Sequence, residues 1–366
     1  MIPIRSSLRV PPVAAVPPCP VRATSAGGLD LMSPVVRTAN GQFDQPLRLT
    51  PILVPKPWGG RRLESIGRSL PPDVHVGESW EVADLEPGSS LAVDDAASRV
   101  SCGPLEGLGL SDLIRTNREA FLGTTQPVAG RFPLLIKFLD AREHLSVQVH
   151  PSEAYLRDDP TVSVKEETWI VLHAEPGSEL MIGTQPGVSL RRFAAAVGSP
   201  AMVPYLRRVP AVVGEVHHVP AGTVHALGAG VMVAEVQTPS DTTFRMYDWE
   251  EEYGRPRRTL HPEQAVRAIA HEWGVQDRIV QPADATGVLV ETSHYAIRRH
   301  HLPARAELAL SPGRVRVLVL VDGEVALESD ELAVIRGCVV VTPANWPGRV
   351  RSRCAANLLE ILPTNA

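Results

Sequence analysis

Four polar residues on three segments have types and spacings that suit a divalent metal ion. Gln148 and His150 lie two residues apart, Glu167 follows in a second segment, and His225 comes just after a Pro-x-Gly turn. Two imidazoles and one carboxylate are ligands typical of a catalytic zinc, which keeps one position open for water or substrate. A neutral glutamine oxygen as fourth ligand would leave the ion a stronger Lewis acid than a second carboxylate would.

The first segment, residues 145–151, predicts a strand that lines a polar cavity. Ser146, Gln148 and His150 share one side of it, and the residues between them are apolar. The inward side is therefore polar, which is unusual for a strand that only fills a core. A hydrogen bond near His150 is the alternative role for Gln148.

The second segment, residues 165–172, predicts another strand of the same barrel. If Trp169 points inward, alternation directs Lys165 and Glu167 inward and Glu166 outward. A β-bulge would exchange Glu166 and Glu167.

The third segment, from Gly214 to His225, predicts a strand, a tight turn and a second strand. Pro220 fixes its own φ, and Gly222 permits the unusual φ that the turn requires. A histidine just past such a turn points into the mouth of a small β-barrel, where metals and ligands bind.

Three further charged residues lie on apolar segments that predict strands. Lys137 is expected to face inward, although a lysine at a strand end that reaches to water is the alternative. Arg245 has the planar donor group that suits a phosphate, or it pairs with Asp241 or Asp248. Glu235 is a candidate general base, or it supports a ligand histidine.

Composition excludes several functional classes. The net charge is −5 and the sequence pI is about 6.2, which argues against nucleic acid as a partner. No apolar stretch is long enough to cross a membrane, and the proline-rich first 20 residues do not resemble a secretory signal. The cysteines form no C-x-x-C pair and predict reduced thiols in the cytoplasm. They are Cys19, Cys102, Cys338 and Cys354.

The chain divides into three parts by composition and periodicity. Residues 1–45 are rich in Pro, Ser, Ala and Gly and predict disorder. Residues 46–285 predict a β-domain that carries the site, with helical insertions at about 111–124 and 186–209. Residues 286–366 predict a second β-domain.

An internal repeat supports the second β-domain. The segment from Gly337 to Gly348 has the same spacing as the segment from Gly214 to His225, and Gly348 stands where the histidine would be. The second barrel is therefore expected to hold no metal. Its expected role is to pack against the first barrel and cover its sheet edges.

Six runs occur in an order that resembles the type I mannose-6-phosphate isomerases, which are zinc-dependent cupins. The resemblance covers roughly residues 46 to 365. The runs are Lys56-Pro-Trp-Gly-Gly60, Gly77-Glu-Ser-Trp-Glu81, Pro133-Leu-Leu-Ile-Lys137-Phe, Leu145-Ser-Val-Gln-Val-His-Pro151, Pro220-Ala-Gly-Thr-Val-His-Ala-Leu227 and Ser240-Asp-Thr-Thr-Phe-Arg245.

The resemblance implies a mainly β fold of two cupin (jelly-roll β-barrel) domains with a small inserted α-helical subdomain. It implies one zinc per chain, held by Gln148, His150, Glu167 and His225. The implied reaction is the interconversion of mannose 6-phosphate and fructose 6-phosphate through a metal-stabilised enediolate. A monomer or a homodimer is expected.

The remaining polar residues are assigned as groups. Lys165, Glu235 and Arg245 are expected around the reacting carbons, and Lys137, Ser146 and Arg245 around the phosphate.

Two alternative functions stay open: another metal-dependent cupin enzyme, such as a different sugar-phosphate isomerase, and a non-enzymatic sugar-binding cupin. The buried charges argue against the second, because they are costly without a function.

Overall fold

The computed structural model describes residues 43–88, 93, 95–274, 279–327 and 332–364. The segment predicted to be disordered lies almost wholly outside these ranges. Within them, no helix has the length and apolar character needed to cross a membrane.

The fold is mainly β, as the sequence predicts. The strands of the described residues, in chain order, are β1 Leu47–Arg48, β2 Ile52–Gly60, β3 Val76–Val82, β4 Leu135–Ala141, β5 Val147–Val149, β6 Glu167–Ala174, β7 Glu179–Thr184, β8 Leu206–Pro210, β9 Val216–Val219, β10 His225–Leu227, β11 Val231–Gln237, β12 Phe244–Tyr247, β13 Val280–Gln281, β14 Gly287–Glu291, β15 Tyr295–Leu302, β16 Glu307–Ala309, β17 Arg316–Asp322, β18 Glu324–Leu327, β19 Leu332–Ile335, β20 Val339–Thr342, β21 Arg349–Ser352 and β22 Ala356–Pro363.

Helices are short and lie between the strands. The α-helices are α1 Leu110–Leu122, α2 Leu190–Ala194, α3 Glu250–Tyr253 and α4 Pro262–His271, and 3-10 turns occur at Arg62–Ile66, Tyr155–Arg157 and Pro200–Tyr205. The helix predicted at 111–124 is confirmed by α1. The helix predicted at 186–209 is wrong for its last residues, because β8 pairs antiparallel with β7 as an edge strand.

The strands form four sheets, and two of them come from each half of the chain. The orders are β12-β5-β10-β7-β8, β13-β9-β6-β11-β4-β2-β3, β1-β20-β17-β22-β15-β14 and β16-β21-β18-β19. All the pairings are antiparallel, so one face of each strand can differ from the other. The short β1 is an exception to the division by halves, because it pairs with β20 across the predicted domain boundary.

The five-stranded and seven-stranded sheets enclose the first barrel. Apolar residues from both sheets meet between them, including Leu180, Leu227, Val171 and Val233. The outer face of the five-stranded sheet is covered by the helical segments, where Phe193 and Ile269 pack. This barrel holds the predicted metal ligands.

The seven-stranded sheet is apolar on its other face as well. Phe138 and Ile170 on that face pack against Val317 and Ile361 of the six-stranded sheet in one continuous core. The second half therefore covers a face of the first barrel, whereas the sequence led us to expect that it also covers sheet edges. The cause is the apolar residues on the outward face, which require burial.

The second half repeats the paired-sheet arrangement. Leu318, Leu358, Val325 and Val350 fill the space between its two sheets. Gly348, which stands where the repeat would place a histidine, has φ +77°, and a Cβ there would lie 1.9 Å from the carbonyl oxygen of Leu310. Even a methyl group has no room at that position.

Replacing Gly348 with alanine is expected to destabilise the protein more than replacing Gly130 does. Both residues have φ near +78°, but a Cβ at Gly130 meets nothing within 4 Å. The left-handed conformation costs each variant about 1–3 kcal/mol, and only the first adds a backbone clash. Urea unfolding of both variants measures the difference. Equal losses would show that the clash relaxes freely.

Candidate metal centre

Sheet register brings the four predicted ligands together from both walls of the first barrel. His225 on β10 stands directly opposite Gln148 on β5, and His150 follows β5. Glu167 opens β6 in the facing seven-stranded sheet. Glu166, the next residue back, points the other way and accepts a hydrogen bond from Thr292.

The two imidazoles face the same carboxylate. His150 Nε2 lies 3.2 Å from one oxygen of Glu167, and His225 Nε2 lies 3.3 Å from the other. All three residues are buried, and their ligand atoms lie within 4.8 Å of one another. Across the described residues, this is the one group of three such side chains that could hold a metal ion.

Backbone carbonyls determine which nitrogen of each ring faces Glu167. His150 Nδ1 lies 3.0 Å from the carbonyl oxygen of Thr242, and His225 Nδ1 lies 2.8 Å from that of Thr223. Each Nδ1 must therefore carry the proton, which leaves a lone pair on Nε2. His150 Nε2 and both oxygens of Glu167 are buried without a hydrogen bond.

Electrostatics favours the protonation states that a metal requires. Burial, followed by the charge of Lys165, lowers the pKa of His150 to about 3. Burial also lowers the pKa of His225. Burial alone would raise the pKa of Glu167, but Lys165, whose Nζ lies 3.2 Å away, holds it well below its usual value. Electron-pair donors thus converge on one point, an arrangement that fits a cation.

Gln148 completes the group on one side. Its Nε2 lies 3.2 Å from His225 Nε2, and Ser146 donates to its Oε1 at 3.4 Å. A half-turn of the amide exchanges its oxygen and nitrogen, after which the amide nitrogen would donate to Ser146. The oxygen would then face the same point as the two imidazoles.

A second charged network, centred on Lys137, lies beside the first. Its Nζ is 3.6 Å from Glu78, 3.7 Å from Glu235 and 3.9 Å from Asp241, and it lies over the ring of Trp80. Lys137 is buried and surrounded by carboxylates. The alternative of a lysine that reaches to water is therefore excluded.

The two glutamates of this network differ in acidity. Burial alone would raise the pKa of Glu78, but Lys56 at 3.0 Å and then Lys137 lower it to about 2. Burial, and next the charge of Glu167, raise the pKa of Glu235 to about 7 against the charges of Lys137 and Lys165. Trp169 donates to Glu235 at 3.1 Å.

Side chains of both networks border one cleft, with a volume of about 500 Å³, although His150, Glu167 and His225 are not among its lining residues. Lys137, Ser146, Lys165, Glu235 and Arg245 line it with Gln148. Arg245 forms no salt bridge in the structure with either aspartate considered above. Its Nη1 instead donates to the carbonyl oxygen of Thr259 at 2.8 Å.

Four ionisable cleft residues had no predicted role. Lys56 and Glu78 occur in two of the six runs, which was the available signal. Arg258 and His261 come from the segment between β12 and α4, where no periodicity indicates which side faces the cleft.

The chain is similar in sequence and fold to several mannose-6-phosphate isomerases. Residues 47–167 match the family model of the phosphomannose isomerase type I catalytic domain. The chain is 31% identical over 316 residues to the mannose-6-phosphate isomerase of Streptococcus mutans, covering 82% of this chain and 92% of that protein. It is 29% identical over 276 residues to the mannose-6-phosphate isomerase ManA of Bacillus subtilis, covering 72% and 82%. The crystal structure of the mannose 6-phosphate isomerase from Bacillus subtilis matches with a TM-score of 0.71 at 28% identity, covering 86% of this chain and 98% of that chain.

The variant His225→Ala is expected to lose bound metal, because one of the converging electron-pair donors disappears. Metal content of the purified protein, measured by mass spectrometry, tests this expectation. His300→Ala is the control, since His300 lies in the second half and contacts Glu360. Full metal content in His225→Ala would refute the ligand assignment.

Proposed function

The chain belongs to the type I mannose-6-phosphate isomerase family, and from this membership we propose how its cleft performs the reaction. The protein is an aldose–ketose isomerase that interconverts mannose 6-phosphate and fructose 6-phosphate. One carbon is oxidised and its neighbour reduced within a single molecule, so a proton must leave one carbon and return to the next. The observation that carries the proposal is the pair of Nε2 lone pairs facing Glu167 beside a charged cleft.

We propose that the metal is zinc, one per chain, held by His150, Glu167, His225 and Gln148. The orphaned Nε2 of His150 and the two orphaned oxygens of Glu167 support this. Imidazole and carboxylate ligands, with no thiolate, suit a redox-inert borderline ion. Zinc would supply Lewis-acid stabilisation for negative charge on the substrate oxygens.

We assign proton transfer to Glu235. Arginine cannot be deprotonated in proteins, which excludes Arg245 as a base. Lys165 lies against Glu167, where it helps to keep that carboxylate ionised. Glu235 lines the cleft, and burial raises the pKa of its carboxyl group above the usual value, which suits a group that accepts and returns a proton.

The substrate contacts are assigned by charge. Lys137 is already matched by three carboxylates, so its proposed role is to hold Glu235 in place. Ser146 and Arg245 are then the proposed substrate contacts from the earlier set.

A cytoplasmic location is proposed as well, supported by the free thiols of Cys102, Cys338 and Cys354.

Chelation is expected to abolish the interconversion of the two sugar phosphates, and added zinc is expected to restore it. A coupled assay on the purified protein before chelation, after chelation and after zinc addition measures this. Persistent turnover in demonstrably metal-free protein would disprove the metal role. No turnover in zinc-loaded protein would disprove the substrate assignment.

Glu235→Gln is expected to lower kcat by a factor on the order of 10²–10⁴ while zinc content is unchanged, because it removes only the proton acceptor. Glu263→Gln, an exposed change on α4, is the matched control and is expected to keep full activity. Wild-type turnover in Glu235→Gln would transfer the base role to Lys165.

A further inference from the structure

One wall of the cleft carries cations with no role in the proton transfer described above. It is formed by residues 248–261, which run from the end of β12 to the start of α4 and are called here the 248–261 segment. Arg258 and His261 of this segment line the cleft together with Arg245 of β12. Their chemistry therefore bears on what the cleft binds.

Arg258 is fixed by a two-point contact with Asp248. Its Nε donates to one carboxylate oxygen at 2.5 Å, and its Nη2 donates to the other. The Asp248 side chain is fully buried, whereas that of Arg258 is 23% exposed. Nη1 of Arg258 has no partner among the described residues, so one side of the guanidinium is available to a ligand. A fixed guanidinium loses little conformational entropy when it binds an anion.

The rest of the segment is tied to the connection between β4 and β5. Arg255 is buried and donates to Glu143 at 3.0 Å and to the carbonyl oxygen of His144 at 2.6 Å. Trp249 has φ +57°, a conformation rare for a bulky residue, and its Nε1 donates to the carbonyl oxygen of Leu145 at 2.8 Å. Such a conformation persists only where the surrounding contacts enforce it. The segment is thus anchored at several points.

Arg245 and His261 support each other beside Arg258. The Arg245 amide donates to His261 Nδ1 at 3.1 Å, and the His261 amide donates to the Arg245 carbonyl oxygen at 2.8 Å. Because Nδ1 accepts, the proton of the neutral ring is on Nε2, which can donate to a ligand. Arg245 Nε is buried without a partner.

Charge balance at this wall favours an anion. The nearby Asp248 is shared between Arg258 and Arg255, whose Nη1 lies 3.8 Å away. Arg255 is also matched by Glu143, so Asp248 balances Arg258 and the charge of Arg245 is the surplus on this wall. An anion is therefore favoured there, with Arg258 and His261 as further hydrogen-bond donors.

The distance between Arg245 and the metal ligand His225 suits a sugar whose phosphate lies at the end far from the metal. Arg245 pairs with Gln148, and Gln148 pairs with His225, on successive strands. Neighbouring strands are about 4.8 Å apart, which puts Arg245 and His225 about 10 Å from each other. In a hexose 6-phosphate, the reacting carbons and the phosphate also lie at opposite ends.

We infer that Arg258, locked by Asp248, binds the substrate phosphate together with Arg245 and His261 and makes the enzyme selective for phosphorylated over free hexose. This inference rests on the proposed function and adds a specificity-determining residue to it. Asp248 is a positioning residue, since it acts through Arg258.

The test compares Arg258→Gln with Arg257→Gln in the zinc-loaded protein. Arg257 is the adjacent arginine, its side chain is 87% exposed, and it lies outside the cleft lining. Arg258→Gln is expected to raise KM for mannose 6-phosphate about 10- to 100-fold, the loss of a charged hydrogen bond, with little change in kcat or zinc content. Calorimetric affinity for inorganic phosphate is expected to fall by a similar factor. Arg257→Gln is expected to match the wild type in every measurement.

The possible outcomes distinguish a wrong phosphate-binding assignment from a wrong isomerase assignment. An active wild type with unchanged KM and phosphate affinity in Arg258→Gln would overturn the inference and leave the isomerase standing. An inactive wild type whose phosphate binding is lost in Arg258→Gln would overturn the function and support the subsite. If Arg258→Gln fails to fold because Asp248 is left unpaired, Arg258→Lys is tested in its place. Lysine keeps the positive charge but lacks the planar guanidinium that makes a two-point contact. That variant is expected to raise KM to a smaller extent, and an unchanged KM there would also count against the inference.

Discussion

An ionised glutamate held away from water is the constraint on which the rest of this structure depends. Glu167 is fully buried, and moving a carboxylate from water into a protein interior costs several kcal/mol unless positive charge surrounds it. Lys165 provides part of that charge, but the two histidine nitrogens that face Glu167 carry lone pairs. The arrangement is therefore stable with a cation at its centre and unfavourable without one. The barrel, the turn at Gly222 and the carbonyls of Thr223 and Thr242 all serve to hold these donors in place.

The cleft extends this arrangement through alternating charge. Lys56, Glu78, Lys137 and Glu235 form a chain in which each charged group has an opposite neighbour, and Asp248 has the same relation to Arg255 and Arg258. Side chains in such networks have few alternative positions, because leaving a buried charge unpaired is costly. A substrate thus enters a site whose charges are already oriented. Preorganisation of this kind reduces the reorganisation that the reaction would otherwise require.

The sequence was most informative where a single period or turn controls direction. Alternation placed Glu167 inward and Glu166 outward, and the Pro-x-Gly turn placed His225, because both are local rules. Glu78 escaped assignment since it lies on a strand whose residues are all buried, so no alternation marks its inner face. Arg258 was not assigned to the cleft because the 248–261 segment shows neither helical nor strand periodicity. The strand β8 was taken for helix since only its partner β7 decides its conformation.

Successive residues on two strands of the seven-stranded sheet alternate between lining the cleft and packing in the core shared with the second half. On β11, Glu235 reaches the cleft while Ala234 and Val236 lie in the core shared with the second half; on β4, Lys137 does so between Ile136 and Phe138. The back of the catalytic wall thus packs against the outer face of a second barrel that holds no predicted ligand set. Loss of the second barrel would expose the apolar reverse side of the catalytic strands to water. A domain without a ligand set of its own can therefore be essential to a reaction carried out in another domain.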